Sequence, residues 1–352
     1  MKFLFFVIVS ILGVANATAD QEKDHNDAEH KALCAVMQAA VEKWGSSGEG
    51  LSDTLKKALG RTLFGNEEGK GNVESLRGNL PADYEKVNDV LLPRYYWCGE
   101  RHKEGESSRV KPPRRSGHSA PHDLLCLCTA GNGGWPVNNG NGKLCGQSKH
   151  TLEGHTEGWS SSGADKGKVQ VTEAWTKVVA PCLQKREAGE NLRGALETFK
   201  HKIDKTIHNE GRNGYLLGEG NSGGYPCSGN GQACVIYYNQ TDNIGHTYPM
   251  PWWTGLEEAI QKEEAEKEEK KKEEEGRKQA NEQRQRRTQN QEKSKIAHEP
   301  RTADLKQATP DKQDAEQTNH ENISSPLATL EDTSGTPISL PCPWLLSALL
   351  FI

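Results

Sequence analysis

The sequence predicts a mainly α fold, an elongated antiparallel helical bundle with long disulfide-stapled loops, followed by a charged stalk. Three observations carry this expectation. Apolar residues recur at helical spacing in several separate segments, eight cysteines punctuate the same region, and large apolar residues stop at Ile260 before a run of Glu, Lys and Arg. Only 33% of the 352 residues are hydrophobic, so the apolar positions must be concentrated if they are to build a core.

The first stripe is Leu33, Val36, Met37, Ala40, Val41 and Trp44, a run of i, i+3, i+4, i+7 spacings ended by Gly45. A second helix carries Leu51, Leu55 and Leu59, and a third starts near Pro81 with Tyr84, Val87, Val90 and Leu91 before Pro93 stops it. The pattern returns at Val171, Ala174, Trp175, Val178, Val179 and Cys182. After Pro181 and Gly189 it resumes at Leu192, Ala195, Leu196, Phe199, Ile203 and Ile207. Each stripe needs another to cover it, so the helices form a bundle. Strand signals are sparse, and "ACVIYYNQT" near residue 235 is the best of them. Between the helices lie Gly-, Asn-, Ser- and Pro-rich loops over about 99 to 168 and 211 to 232. Loops of that length need functional or covalent support.

Beyond Trp253 the composition changes. From Leu256 to about Lys295 the chain is charged, with Glu258–Lys262, Glu263–Lys267 and Glu266–Lys270 as i, i+4 pairs, each contributing about 0.2 to 0.5 kcal/mol to a solvated helix. Heptad apolar positions are missing, which argues against a coiled coil. Residues 296 to 334 are rich in Pro, Thr, Asp, Gln and Ser and are expected to be disordered. The segment "RQRR" reads as part of a solvated face within a chain of net charge -5, so no nucleic-acid partner is expected.

The two ends set the compartment. Lys2, the apolar block Phe3 to Val14 and the small residues Ala15, Ala17 and Ala19 read as a secretory signal peptide. At the other end, small residues from Asp332 to Thr336 precede an apolar tail that starts at Ile338, contains Pro341 and Pro343, and is too short to span a bilayer. This matches a glycosylphosphatidylinositol (GPI) attachment signal, with Ser334 as the modified residue and Asp332 and Gly335 as alternatives. The expected organisation is therefore 1–17 signal peptide, 18–255 helical head, 256–334 stalk and 335–352 anchor signal. The mature protein would lie on the outer face of the plasma membrane.

Cys342 leaves with the tail, and Cys34, Cys98, Cys126, Cys128, Cys145, Cys182, Cys227 and Cys234 remain. An even number in an oxidising compartment favours four disulfides, although eight cysteines allow on the order of 100 pairings. Cys227 with Cys234 is the one local pair the spacing suggests. Cys126 and Cys128 are too close to bridge each other without strain, so they should staple two different partners. A zinc site built from His118, His122, Cys126 and Cys128 is the competing reading. It is disfavoured by the oxidising compartment and by Pro121, which is expected to break the helical face that would align the histidines. A redox pair would need CxxC.

Other motifs carry little chemistry. "GEGNSG", Gly218 to Gly223, has the spacing of a dinucleotide loop, but "GYPCSG" follows it instead of a helix. "GNGK" and "DKGK" are incomplete phosphate loops. No nucleophile, base and orienting acid can be assembled from the scattered histidines and carboxylates, so no catalytic, cofactor or metal residues are assigned and no enzyme is expected. Asn239 in "NQT" and Asn322 in "NIS" are N-glycosylation sequons.

The ordered set "DLLCLC", a glycine and asparagine loop, "LRGALETFKHKI…NGYLLGEG" and "CSGNGQACVIYY", flanked by both terminal signals, resembles a trypanosome variant surface glycoprotein with a b-type amino-terminal domain. The resemblance covers about residues 28 to 255. It departs from larger members in having no cysteine between Cys234 and Cys342, and so is similar to short forms without a cysteine-rich carboxy-terminal domain. It implies an elongated homodimer built on two long antiparallel helices per subunit, packed densely on the parasite surface. Those helices would contain the stripes Leu33 to Trp44 and Leu192 to Ile207, and the loops near 99 to 168 would face host antibodies. The implied role is a coat that shields the membrane and varies antigenically. The alternative is a ligand-binding surface receptor on the same scaffold.

Overall fold

A computed structural model describes residues 22–296, apart from 67, 103–110, 132, 134, 138–139, 155–157, 160–165, 186–188, 204, 210–211, 221–223 and 239–246. The expected signal peptide, Asn239, Asn322, Ser334 and the anchor signal lie outside the described residues. The described residues up to Gln285 form one compact unit, and of the second unit only helical residues as far as Ile296 are described.

Helix α1 (Asp27–Trp44) buries the whole first stripe, Leu33, Val36, Met37, Ala40, Val41 and Trp44. Asp27 and Glu29 in its first turn complement the helix dipole. Helix α2 (Asp53–Phe64) starts at Ser52, whose hydroxyl accepts the Leu55 N–H at 3.3 Å, and buries Leu55, Leu59 and Leu63. Trp44 and Phe64 meet edge to face at 5.3 Å, joining the ends of the two helices. A short helix, α3 (Val73–Gly78), follows.

The helix expected from Pro81 is a 3₁₀ turn over Ala82–Asn88. Three residues per turn place Tyr84 and Val87 on one buried face. The chain then becomes extended at Asp89, and Val90 and Leu91 are 63% and 64% exposed. Helix α4 (Arg94–Cys98) leads into the first predicted loop. That loop contains an unpredicted helix, α5 (Ala120–Leu127), capped by Ser119 and buried at every position. Pro121 does not break it: it sits in the first turn, where the missing N–H has no intrahelical partner to lose. The same loop supplies β2 (Lys143–Leu144), which pairs in parallel with β1 (Asp24–His25).

Helix α6 (Lys166–Ala174) widens into a π turn over Trp175–Val179 and ends as α7 (Ala180–Cys182), with the predicted stripe from Val171 to Cys182 buried. Pro181 offers no N–H and crowds the carbonyl four residues earlier, at Lys177, which lies in the widened turn. Helix α8 (Leu192–Lys200) packs on α1 through Ala195, Leu196 and Phe199. It stops before Ile207, which the apolar spacing had assigned to the same helix. Residues Lys205–Asn209 are instead β3, antiparallel to β4 (Arg212–Glu219), with Ile207 opposite Gly214. The expected strand is present as β5 (Ala233–Tyr238), paired antiparallel with β4 in the order β3-β4-β5. The described fold is therefore mainly α with a small antiparallel sheet that packs on α5 through β5.

Helix α9 runs from Trp252 to Ile296, four residues earlier than the composition change suggested. Trp252, Leu256, Ala259 and Ile260 are buried at i, i+4, i+7 and i+8, so its first turns belong to the core and not to the stalk. Lys200 and Arg193 of α8 reach Glu257 and Glu264 of α9, and Lys43 of α1 reaches Glu263. From Lys271 to Asn290 every side chain is exposed, and Glu263–Lys267, Glu268–Lys272 and Glu274–Lys278 form i, i+4 ion pairs. Among the described residues, no helix is long and apolar enough to cross a membrane.

Candidate functional site

Among the described residues, three of the four disulfides gather in the lobe around α4, α5, β2 and β5. Cys126, on α5, bonds to Cys98 at the end of α4. Cys128, the residue that ends α5, bonds to Cys145 beside β2. The two neighbours thus fasten one helix to two different segments, with Cα–Cα distances of 5.6 Å in both bridges. Cys227 bonds to Cys234 across a seven-residue separation, and Cys34 to Cys182 across 148. Closing loops of these kinds stabilises by about 2 to 5 kcal/mol each, chiefly by constraining the unfolded chain.

Between the bridges, buried polar groups hold the loops in place. Arg94 is fully buried and donates through Nη1 to the Gln232 carbonyl at 2.9 Å and through Nη2 to the carbonyls of Thr129, at 3.0 Å, and Cys126. Its guanidinium also lies 5.5 Å from the centre of the Trp159 ring. Burial lowers its pKa to about 9, which leaves it charged at neutral pH. One cation thereby collects the end of α5, the loop after it and the Cys227–Cys234 loop.

Asp123 is a second collection point. Its Oδ2 accepts from Tyr237 Oη at 2.9 Å and Trp252 Nε1 at 2.7 Å, and its Oδ1 accepts from the Gly117 N–H at 2.9 Å. The Trp252 N–H in turn donates to the Gly117 carbonyl at 2.9 Å. Burial pushes the carboxyl up to about 7, and the three donors oppose that shift. Here α5, β5 and the first turn of α9 are locked together. Asn26, before α1, is the third point, held at φ 59. Its Nδ2 donates to the carbonyls of Leu127 and Ala233 at 2.8 and 2.7 Å, and its Oδ1 accepts the Glu219 N–H at 3.0 Å.

The histidines of the discarded zinc reading fall close to the bridges. His122 lies one turn before Cys126, with Nε2 3.7 Å from the sulfur, so the pair does share a helical face. What removes the metal site is the disulfide, since both sulfurs are oxidised and neither is a thiolate ligand. His122 donates from Nε2 to the Trp97 carbonyl at 3.0 Å and accepts at Nδ1 from Tyr84 Oη at 2.9 Å. Burial lowers its pKa to about 3, and burial with nearby Arg114 lowers that of His118 to about 2, so both rings are neutral packing groups. His30, Cys34 and Cys182 also come within metal-ligand distance of one another, but these sulfurs too are bonded together.

The Gly218–Gly223 motif begins in β4, where Gly218 pairs with Cys234 in the ladder and takes a positive φ of 91 that favours glycine, so the motif starts in a strand and not at the mouth of a helix. Arg94, Asp123 and Asn26 were not singled out from sequence. The one signal available was a charged residue inside an apolar run, "PRYYW" and "HDLLCLC".

The lobe is thus a platform of stapled loops in which Arg94, Asp123 and His122 are held by hydrogen bonds of the fold. No curated protein matches the chain significantly. A family model described as the trypanosomal VSG domain matches residues 42–282, a span that includes the stapled lobe and the first part of α9. The chain belongs to the trypanosomal VSG domain family and is a trypanosome surface coat protein.

Proposed function

We propose that the protein is a GPI-anchored coat glycoprotein that shields the parasite membrane and, by exchange for other variants, evades host antibodies. The family match carries this reading, and the disulfide-braced lobe suits it. Rigid loops can vary in surface chemistry while the core beneath keeps its spacing, because the packing is set by α1, α5, α8 and β5 and not by the loop surface. On this reading the signal peptide is removed, Ser334 carries the anchor, Asn239 and Asn322 carry N-glycans, and two copies form the coat unit as a homodimer. Binding of host antibodies is then the contact the coat exists to survive, and no catalytic step is involved.

Treatment of intact cells with a phosphatidylinositol-specific phospholipase C tests the anchor. Release of the protein, with dominance of the released surface material by this one species, is the expected result. Retention on the membrane refutes the anchor, and a scarce species that binds a serum protein stoichiometrically replaces the coat with a receptor.

A further inference from the structure

Three phenols gather on the surface of the lobe. Tyr95 and Tyr96, consecutive on α4, have ring centroids 4.3 Å apart at an interplanar angle of 30°. Tyr95 also meets Tyr225, from the segment before the Cys227–Cys234 loop, at 4.8 Å and 50°. Tyr225 is 67% exposed, whereas Tyr84 and Tyr237 are buried and hydrogen-bonded. Tyr238 and Tyr248 are farther apart, at 6.4 Å. One phenol is therefore open to a reagent in solution, and its nearest aromatic neighbour is another phenol that contributes to no other described function.

We propose that Tyr95 and Tyr225 are an oxidative cross-linking site, joined as dityrosine by a one-electron oxidant of the haem peroxidase and peroxide class. Each phenol gives up one electron and one proton. The two phenoxyl radicals form a carbon–carbon bond between ring carbons ortho to oxygen, and the displaced ortho hydrogens move to the oxygens to restore both phenols. The net change in the protein is the loss of two electrons and two protons, and the peroxide is reduced to two waters.

The geometry selects this pair. Edge carbons must meet for the bond to form, and Tyr95 and Tyr225 lie tilted at 50°, whereas Tyr95 and Tyr96 are stacked at 30°. Tyr225 is exposed enough to rotate into contact. Partial burial, and next a hydrogen bond with Tyr96, hold the Tyr95 phenol above its ordinary pKa, so it stays protonated and its proton leaves with the electron. The bond would tie α4, which ends in Cys98, to the segment entering the Cys227–Cys234 loop, adding a covalent link that the disulfides do not make.

The test treats the full-length purified protein with hydrogen peroxide and a plant haem peroxidase, then reads dityrosine fluorescence, monomer mass and cross-linked peptides. The expected product is a monomer lighter by two hydrogens, with a peptide joining Tyr95 to Tyr225. Tyr225→Phe, which keeps the ring and loses the phenol, should lower the yield of that peptide at least tenfold without changing far-ultraviolet circular dichroism. Coupling mapped to other tyrosines, only intermolecular coupling, an unchanged yield in Tyr225→Phe, or equal yield of the same link from chain unfolded in denaturant would each overturn the proposal.

Discussion

Replacing Cys34 and Cys182 together by alanine removes the bridge with the longest sequence separation, 148 residues. The Cys98–Cys126 and Cys128–Cys145 bridges lie inside that span and shortcut it, so the unfolded chain regains the freedom of a loop of about 100 residues, worth about 4.7 kcal/mol. The corresponding loss for Cys227 and Cys234, seven residues apart, is about 2.3 kcal/mol by the same relation. Packing losses affect both pairs, since Cys182, Cys227 and Cys234 are all buried. Equilibrium urea unfolding without reductant, followed by tryptophan fluorescence, measures both double variants against the parent. A loss for the long pair that is equal to or smaller than that for the short pair refutes the loop-entropy reasoning.

Four variants probe the buried polar points. The native state holds the Asp123 proton up to about pH 7, well above the ordinary carboxylate range, so this residue makes stability fall as pH rises from about 4 through 7; Asp123→Asn should flatten that part of the stability profile, measured by unfolding across the range. Trp252→Ala empties a fully buried site, removes the stacking on Phe199 at 5.3 Å and takes away one donor to Asp123; it should cost about 3 to 5 kcal/mol in chemical unfolding, with unchanged stability as the contrary result. Asn26→Ala strands the Leu127 and Ala233 carbonyls and the Glu219 N–H while forcing alanine to φ 59, and should cost about 2 to 4 kcal/mol. Asn26→Gly relieves the backbone strain, so it should cost less than Asn26→Ala in the same measurement.

The helical stripes were legible because each is long enough to show its period and its face is buried as a unit. Leu33 to Trp44 and Val171 to Cys182 are the clear cases. The spacing misled where the local geometry changed beneath it. Ile203 and Ile207 continue the four-residue rhythm of α8, yet Ile207 lies in an antiparallel ladder, where tertiary pairing with β4 overrides a weak helical signal. Val90 and Leu91 fit a 3.6-residue turn but follow a 3₁₀ turn that ends before them. Helix α5 was hidden because its entirely buried surface has no polar side from which to read a period. The roles of Arg94 and Asp123 depend on carbonyls and N–H groups from distant segments, which no local spacing reveals.

Disulfide mapping of the native protein under non-reducing conditions bears most directly on the stapled lobe. Peptide mass spectrometry should recover Cys98 with Cys126, Cys128 with Cys145, Cys227 with Cys234 and Cys34 with Cys182. Free thiols at Cys126 and Cys128, or a bond between those two neighbours, would contradict a helix fastened on both sides.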